Sequence, residues 1–298
     1  MGCIYLNAPN MKNSFLLAAA VAFSFVSNAQ NGLDFDGMND HVQTTINPIS
    51  GTNARTLEAW IKINANTSPS SGGRQHIICD MGVNSPGQRY SMNVLNKTLR
   101  IEINGSGING STVVDNGVWH HVAVVYDPSS GSNIKLYVDG APDGSGSLSV
   151  NTASTGNVRL GRRLDNVNNF DGTIDEFRMW NIARTDAEIL SNYNKELCSI
   201  DPDLHAYINF NQGTASGNNA GLNKAHEAVT GSHGVLNGFS FTGGSSNWVS
   251  GATLTAGLSV DAYDETVCDS LLSPFGNTYW TTDGKHIDTA TNNVGCGF

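Results

Sequence analysis

The sequence predicts an all-β protein, a sandwich or jelly roll, and three observations carry that prediction. Short runs rich in Val, Ile, Thr and aromatics recur along the 298 residues, each bounded by Gly, Asn, Ser or Pro. Charged residues make up only 14% while glycine numbers 33, a balance that suits short strands joined by turns better than long surface helices. The third observation is the stretch 119–140, Trp-His-His-Val-Ala-Val-Val-Tyr-Asp, a Pro-Ser-Ser-Gly-Ser-Asn cluster, then Ile-Lys-Leu-Tyr-Val-Asp-Gly, which reads as a β-hairpin. Its first run is apolar on both faces and is expected to be a central, covered strand. Its second run alternates, with Ile134, Leu136 and Val138 set against Lys135, Tyr137 and Asp139, so one side packs and the other meets water.

From the N-terminus, Met11-Lys12-Asn13 precedes an apolar run, 14–26, and the small residues Ser27-Asn28-Ala29. That order of a positive start, a short apolar core and a small-residue cleavage site predicts a signal peptide over 1–29, with translation starting at Met1 or Met11. The run is too short for a comfortable membrane span, so a secreted or cell-surface product is expected. Export leaves Cys79, Cys198, Cys268 and Cys296, which allow three pairings. Cys268 with Cys296 is the favoured pair, because both lie in a Gly- and Thr-rich tail with little apolar material to hold it together. Closing that loop stabilises by about 3 to 4 kcal/mol in the chain-entropy model. Cys79, in the apolar run 76–79, is a buried free thiol or the partner of Cys198.

The mature part opens with Leu33 and Phe35 on one strand face and Asp34 and Asp36 on the other, then a turn over 37–40. Leu57, Ala59, Ile61 and Ile63 next alternate with Glu58, Trp60 and Lys62. Further strands are expected at 75–80, 89–94, 99–103, 112–114, 148–150 and 157–161, and a long polar loop at 162–171. A strand over 172–181 is followed by Thr185 with Glu188 three residues on. That capping box predicts a short helix ending the first domain near Leu197.

Several of these segments resemble the laminin-G-like jelly rolls of the concanavalin A-like lectin/glucanase group. The resemblance rests on Phe35-Asp36-Gly37-x-x-Asp40-x-Val42, on Leu57-Glu58-Ala59-Trp60-Ile61-Lys62, on Trp119-His120-His121-Val122-Ala123, and on Leu136-Tyr137-Val138-Asp139-Gly140. The strand 172–181 resembles the closing strand of that family. The resemblance implies a concanavalin A-like sandwich over 30–197, with a short C-terminal helix. Residues 198–254 are similar to a segment that accompanies such domains in bacterial surface proteins; Tyr207, Phe210, Phe239 and Trp248 are expected to pack on the jelly roll or form a small satellite. Residues 255–298 resemble one unit of the Cys-Asp-Ser repeats of extracellular adhesin-like bacterial proteins, a small β-rich tail that reads as truncated.

Catalysis is not expected. Glucanases of the resembled group place carboxylates as Glu-x-Asp-x-x-Glu on one strand, and no such spacing occurs here. Asp175 and Glu176 are adjacent and point to opposite faces of a regular strand. In that phase Glu176 shares a face with Arg178 and pairs with it in solvent, while Asp175 faces the core and needs a partner. Two partners stay open: backbone N–H groups of the 36–39 turn, or one structural calcium held by Asp175 with Asp36 and Asn39, as some relatives carry. An EF-hand over 34–45 is rejected, since Thr45 stands where the bidentate Glu belongs. His120 and His121 face opposite ways, cannot share an ion, and read as structural. For binding, the polar loops 66–74, 84–89, 104–111 and 162–170 offer Arg, Asn and Gln, with Arg162, Arg163, Asn166, Asn168, Asn169 and Phe170 as first candidates for stacking on and hydrogen-bonding to a sugar. The expected partner is an extracellular polysaccharide or glycan, with another surface protein as the alternative. A net charge of -10 argues against nucleic acid or an anionic membrane.

Overall fold

The computed structural model describes residues 30–64 and 75–254, together with the backbone of four short strands between 258 and 291. The expected signal peptide, the loop 66–74 and the Cys268–Cys296 bond lie outside the described residues. In chain order the first strands are β1 (Asn31–Asp36), β2 (His41–Gln43), β3 (Arg55–Ile63), β4 (His76–Gly82), β5 (Arg89–Leu95), β6 (Thr98–Ile103) and β7 (Ser106–Val113). The central hairpin is β8 (His120–Tyr126) with β9 (Ile134–Val138), followed by β10 (Ala141–Gly146), β11 (Arg159–Leu160) and β12 (Asp171–Trp180). After α1 (Asp186–Asn192) come β13 (Leu204–Ile208), β14 (Lys224–Ala225), β15 (Gly234–Asn237) and β16 (Trp248–Ser250). In the tail, β17 (Leu258–Glu265) pairs with β20 (Gly284–Thr291), and β18 (Leu271–Leu272) with β19 (Tyr279–Trp280).

Two antiparallel sheets stack face to face. One runs β10-β9-β8-β3-β12-β1-β16, with β13 also on β12, and the other runs β14-β15-β2-β11-β4-β5-β6-β7. Strand periodicity supplies the layer between them: Leu33, Phe35, Leu57, Ile61, Val122 and Val124 from the first sheet meet Val42, Tyr90, Met92, Leu99 and Ile101 from the second, all buried. The all-β jelly-roll prediction holds, and β8 is the central covered strand expected of it.

Residues 198–254 are woven into both sheets. β13 and β16 join the first sheet, β14 and β15 the second, and Phe210, Phe239 and Trp248 enter the main core rather than a satellite. Cys79 is buried and free, and Cys198 is disulfide-bonded, so these two are not paired with each other.

Several expectations are corrected. Residues 104–111, read as a loop, supply β7, whose Ser111 and Thr112 donate to the Asp143 carboxylate on β10 (Thr112 N 2.9 Å) and bring the two sheet edges together. These residues are small, polar and mostly exposed, so pairing with β6 makes the strand and periodicity does not announce it. No strand forms at 148–150. Tyr137, expected in water, is fully buried and donates its hydroxyl to Asp186 Oδ1 at 2.7 Å, because α1 covers the outer face of the first sheet. The capping box that starts α1 is present at Thr185 and Glu188.

The largest departure lies at Asp175-Glu176. Along one side β12 pairs continuously with β3 except at a bulge between Asp175 and Arg178; along the other it pairs first with β1 and then with β13. Glu176 has a left-handed φ of 52°. The bulge resets the strand phase, and the 198–254 segment covers the outer face, so Glu176 is buried and not in solvent. Its carboxylate accepts from Arg178 Nη2 at 2.7 Å and from the Tyr207 hydroxyl at 2.8 and 2.9 Å. Asp175 accepts from the backbone N–H groups of Glu176 (2.8 Å) and Ala252 (2.9 Å), not from the 36–39 turn.

Candidate functional site

At one end of the sandwich, the turn after β1, the start of β4 and the loop leading into β12 enclose a cleft of about 510 Å³. Asp36, Gly37, Met38, Gln75, His76, Asn168, Asn169 and Asp171 line it. The ladder between β1 and β12 sets Asp36 directly opposite Asp171, two like charges on neighbouring strands. Met38 N–H donates to Asp36 Oδ1 (2.8 Å) and Asn64 Nδ2 to Asp171 Oδ1 (2.9 Å). Gly37, at φ +76°, leaves room for the second carboxylate: a Cβ there would stand 2.9 Å from Asp171 Oδ2.

His76 forms one wall. Its Nδ1 accepts the Asp171 N–H at 3.3 Å, and burial lowers its pKa, so the ring is neutral with its hydrogen on Nε2. That buried Nε2 has no acceptor, and the buried Asn169 Oδ1 has no donor. Gln75 is pinned between Asn168, which donates to its Oε1 at 3.3 Å, and Glu102, which accepts from its Nε2. Glu102 in turn accepts from Arg89.

Asp80 belongs to the same polar face of the second sheet. Burial pushes its carboxyl up to about 6, against the opposing hydrogen bond from Leu164 N–H (2.8 Å) and the charge of Arg89. A carboxyl raised in the folded state contributes stability that is full below its ordinary value of 3.8 and lost as pH rises through about 6. The expected result is a fall in folding stability on the order of 2 kcal/mol between pH 4 and 7 from this group. Asp80→Asn keeps the Leu164 contact and should flatten that slope in urea titrations at several pH values; an unchanged slope would refute the assignment.

Of the residues singled out in the sequence, the structure gathers Asn168, Asn169 and Asp36 in the cleft. Arg162, Arg163 and Asn166 instead brace their own loop. Arg163 pairs with Asp165 (2.6 Å), Arg162 Nη2 donates to Asn166 O (2.8 Å), and Arg159 Nη1 to Asn166 Oδ1 (2.9 Å). Phe170 is no sugar platform: it is fully buried, edge-on to Phe35 at 5.9 Å and to His76 at 6.0 Å, and forms packing behind the cleft. The proposed calcium set does not converge either. The register places Asp171, not Asp175, opposite Asp36, and Asp175 lies four residues further along β12 at the Ala252 contact. Asn39 is exposed, and its carbonyl accepts from His41 Nδ1 at 2.9 Å. Among the described residues no three His, Cys, Asp or Glu side chains converge as metal ligands. Asp36, Asp171 and Asn169 are three side chains with at most five ligand oxygens, against the six to eight that calcium takes. Gln75, His76 and Asp171 were missed by sequence reasoning. One signal was available for Asp171: like Asp36, it sits at a strand end before a glycine.

His120 and His121 are structural. Its Nε2 meets Glu58 Oε2 at 3.1 Å, and His120 Nδ1 meets Asp139 Oδ2 at 2.8 Å.

Two antiparallel sheets closed at one edge, with a polar cleft at the rim, define a jelly-roll module. Residues 36–190 match the Laminin_G_3 family, described as the concanavalin A-like lectin/glucanases superfamily; the match takes in more than half of the chain, and the protein belongs to this family. Its fold is similar to that of a candidate carbohydrate-binding protein from Bacteroides ovatus ATCC 8483, at 18% identity and a TM-score of 0.53 over 70% of this chain. The chain spans 58% of that protein's length. A heptameric SAP-like pentraxin from Limulus polyphemus is similar at 18% identity and a TM-score of 0.43, covering 55% of this chain and 82% of its own. Domains LG4-5 of the mouse laminin alpha1 chain follow at 13% identity and 0.39, covering 51% and 41%. Among the described residues no helix is long and apolar enough to cross a membrane.

Proposed function

We propose that the protein is a non-catalytic, extracellular carbohydrate-binding module that holds a glycan in the rim cleft. The observation that carries this reading is a concave site assembled from three separate segments, in which a buried donor, His76 Nε2, and a buried acceptor, Asn169 Oδ1, have no protein partner. The description of the Bacteroides ovatus protein supports it, as does the signal-peptide pattern before Gln30. Attachment to a larger surface assembly through the Cys-Asp-Ser-like tail belongs to the same proposal.

The competing reading is a protein-interaction module, favoured by Met38 (70% exposed) on the cleft and Val167 (46% exposed) on the adjoining loop. Retention of the purified chain on a panel of soluble polysaccharides, with calcium and then with chelator, tests the choice. Binding to at least one glycan class, weakened about tenfold in Asn169→Ala by the loss of one buried hydrogen bond, is the expected result. Folded protein retained on no glycan would favour the interaction module, and release of reducing sugar would contradict the non-catalytic part.

A further inference from the structure

Resting on the carbohydrate reading, we infer that the cleft selects a neutral glycan, bound directly through its hydroxyls by His76 Nε2–H and Asn169 Oδ1. Three features of the lining lead there. First, none of the eight described lining residues is Lys or Arg, whereas two are aspartates set opposite each other. Arg162 and Arg163 of the neighbouring loop are engaged within it, with Asn166 O and Asp165. A uronate or sulfate would enter against the negative charge of these two aspartates, in a protein whose net charge is already -10.

Second, His76 has no lone pair to offer a cation. Its Nδ1 already accepts the Asp171 N–H, which leaves Nε2 as a donor. A donor needs an oxygen, and none of the described residues supplies one. Third, the unmatched Asn169 Oδ1 needs the opposite, a hydrogen. A sugar hydroxyl accepts one bond and donates another, so the hydroxyls of a sugar can supply both partners, with the aspartates accepting from others. The exposed Met38 offers an apolar contact to the C–H face of the ring.

Calorimetric titration of the purified chain in chelator, with dextran, arabinan and galactomannan as neutral probes and polygalacturonate and dextran sulfate as acidic ones, tests the inference. The expected result is binding of at least one neutral polymer at least about tenfold tighter than either acidic one, the scale of one charge-assisted contact made or lost. His76→Ala should weaken the neutral probe by about tenfold, and His76→Gln, whose amide still donates, should recover most of that. Asn169→Ala, on a half-buried residue, carries the same test if His76→Ala fails to fold. Preference for an acidic polymer, neutral binding that vanishes with chelator, or equal affinities for wild type, His76→Ala and Asn169→Ala would each overturn the inference and leave the carbohydrate reading standing. Absence of binding to every glycan, with calcium or chelator, would overturn both.

Discussion

A chain ended at Leu197 should fail to fold cooperatively, although the sequence invites that boundary. The cut removes β13, which hydrogen-bonds the second half of β12, β16, which pairs with β1, and β15, which pairs with β2. It also uncovers the main core where Ala206, Ile208, Phe210, Ala225, Leu236, Phe239 and Trp248 are packed. Emptying one large buried site costs about 3 to 5 kcal/mol, and a domain has only about 5 to 15 kcal/mol to lose. Two aromatic sites, those of Phe210 and Trp248, already account for about 6 to 10 kcal/mol of it, before the lost strand pairings are counted. Near-ultraviolet circular dichroism and urea unfolding of the 30–197 and 30–298 chains measure this. A sharp urea transition for the shorter chain would show that the sandwich is complete without the added strands. The milder probe is Trp248→Ala, which leaves the topology intact and should cost about 3 to 5 kcal/mol by cavity formation alone.

Glu58→Gln should lower stability at neutral pH by about 3 to 5 kcal/mol, because removing one partner of a buried ion pair strands the other. The Glu58 carboxylate is fully buried and receives Arg184 Nη1 at 2.7 Å as well as His121 Nε2. Burial alone would raise its pKa, but the His121 hydrogen bond and the charges of Arg184 and Arg178 overcome that and hold it well below the usual carboxylate range. A depressed carboxyl contributes stability that is present above its ordinary pKa and lost as pH falls through the folded one. Wild type should therefore weaken steeply in acid, and Glu58→Gln should show a shallower acid limb from a lower starting point. Arg184 also lies over the Trp180 ring at 4.2 Å, so losing Glu58 loosens the chain that leads into α1. Urea midpoints at pH 7 and pH 3 measure both effects; a variant within about 0.5 kcal/mol of wild type at pH 7 would behave as an ordinary surface change and refute the network.

Much of the sandwich was legible because it is local. Alternation over Leu57–Ile63 and Ile134–Val138 marks the inner face, and the turn residues between Tyr126 and Ile134 mark the hairpin. Thr185 and Glu188 mark the helix start, since a capping box closes within one turn. The site was legible only in part. Asn168, Asn169 and Asp36 stood out as polar residues in turns, but Arg162, Arg163 and Phe170 shared that appearance and serve the loop and the core instead.

From its order of residues, then, this chain specifies an all-β fold, the inner face of regular strands such as β3 and β9, and the position of the helix, because all three follow from contacts a few residues apart. The chain order does not say which outer faces stay wet. Tyr137, Glu58, Glu176 and Arg178 read as solvent-facing or neutral to the question until α1 and β13, far along the chain, close over them. The cleft is of the same kind: Asp36, His76, Asn169 and Asp171 become neighbours through the register of β1 on β12 and the packing of the two sheets. Register is set by pairing across more than a hundred residues and by one bulge at Asp175, and no local pattern encodes where such a bulge restarts the phase.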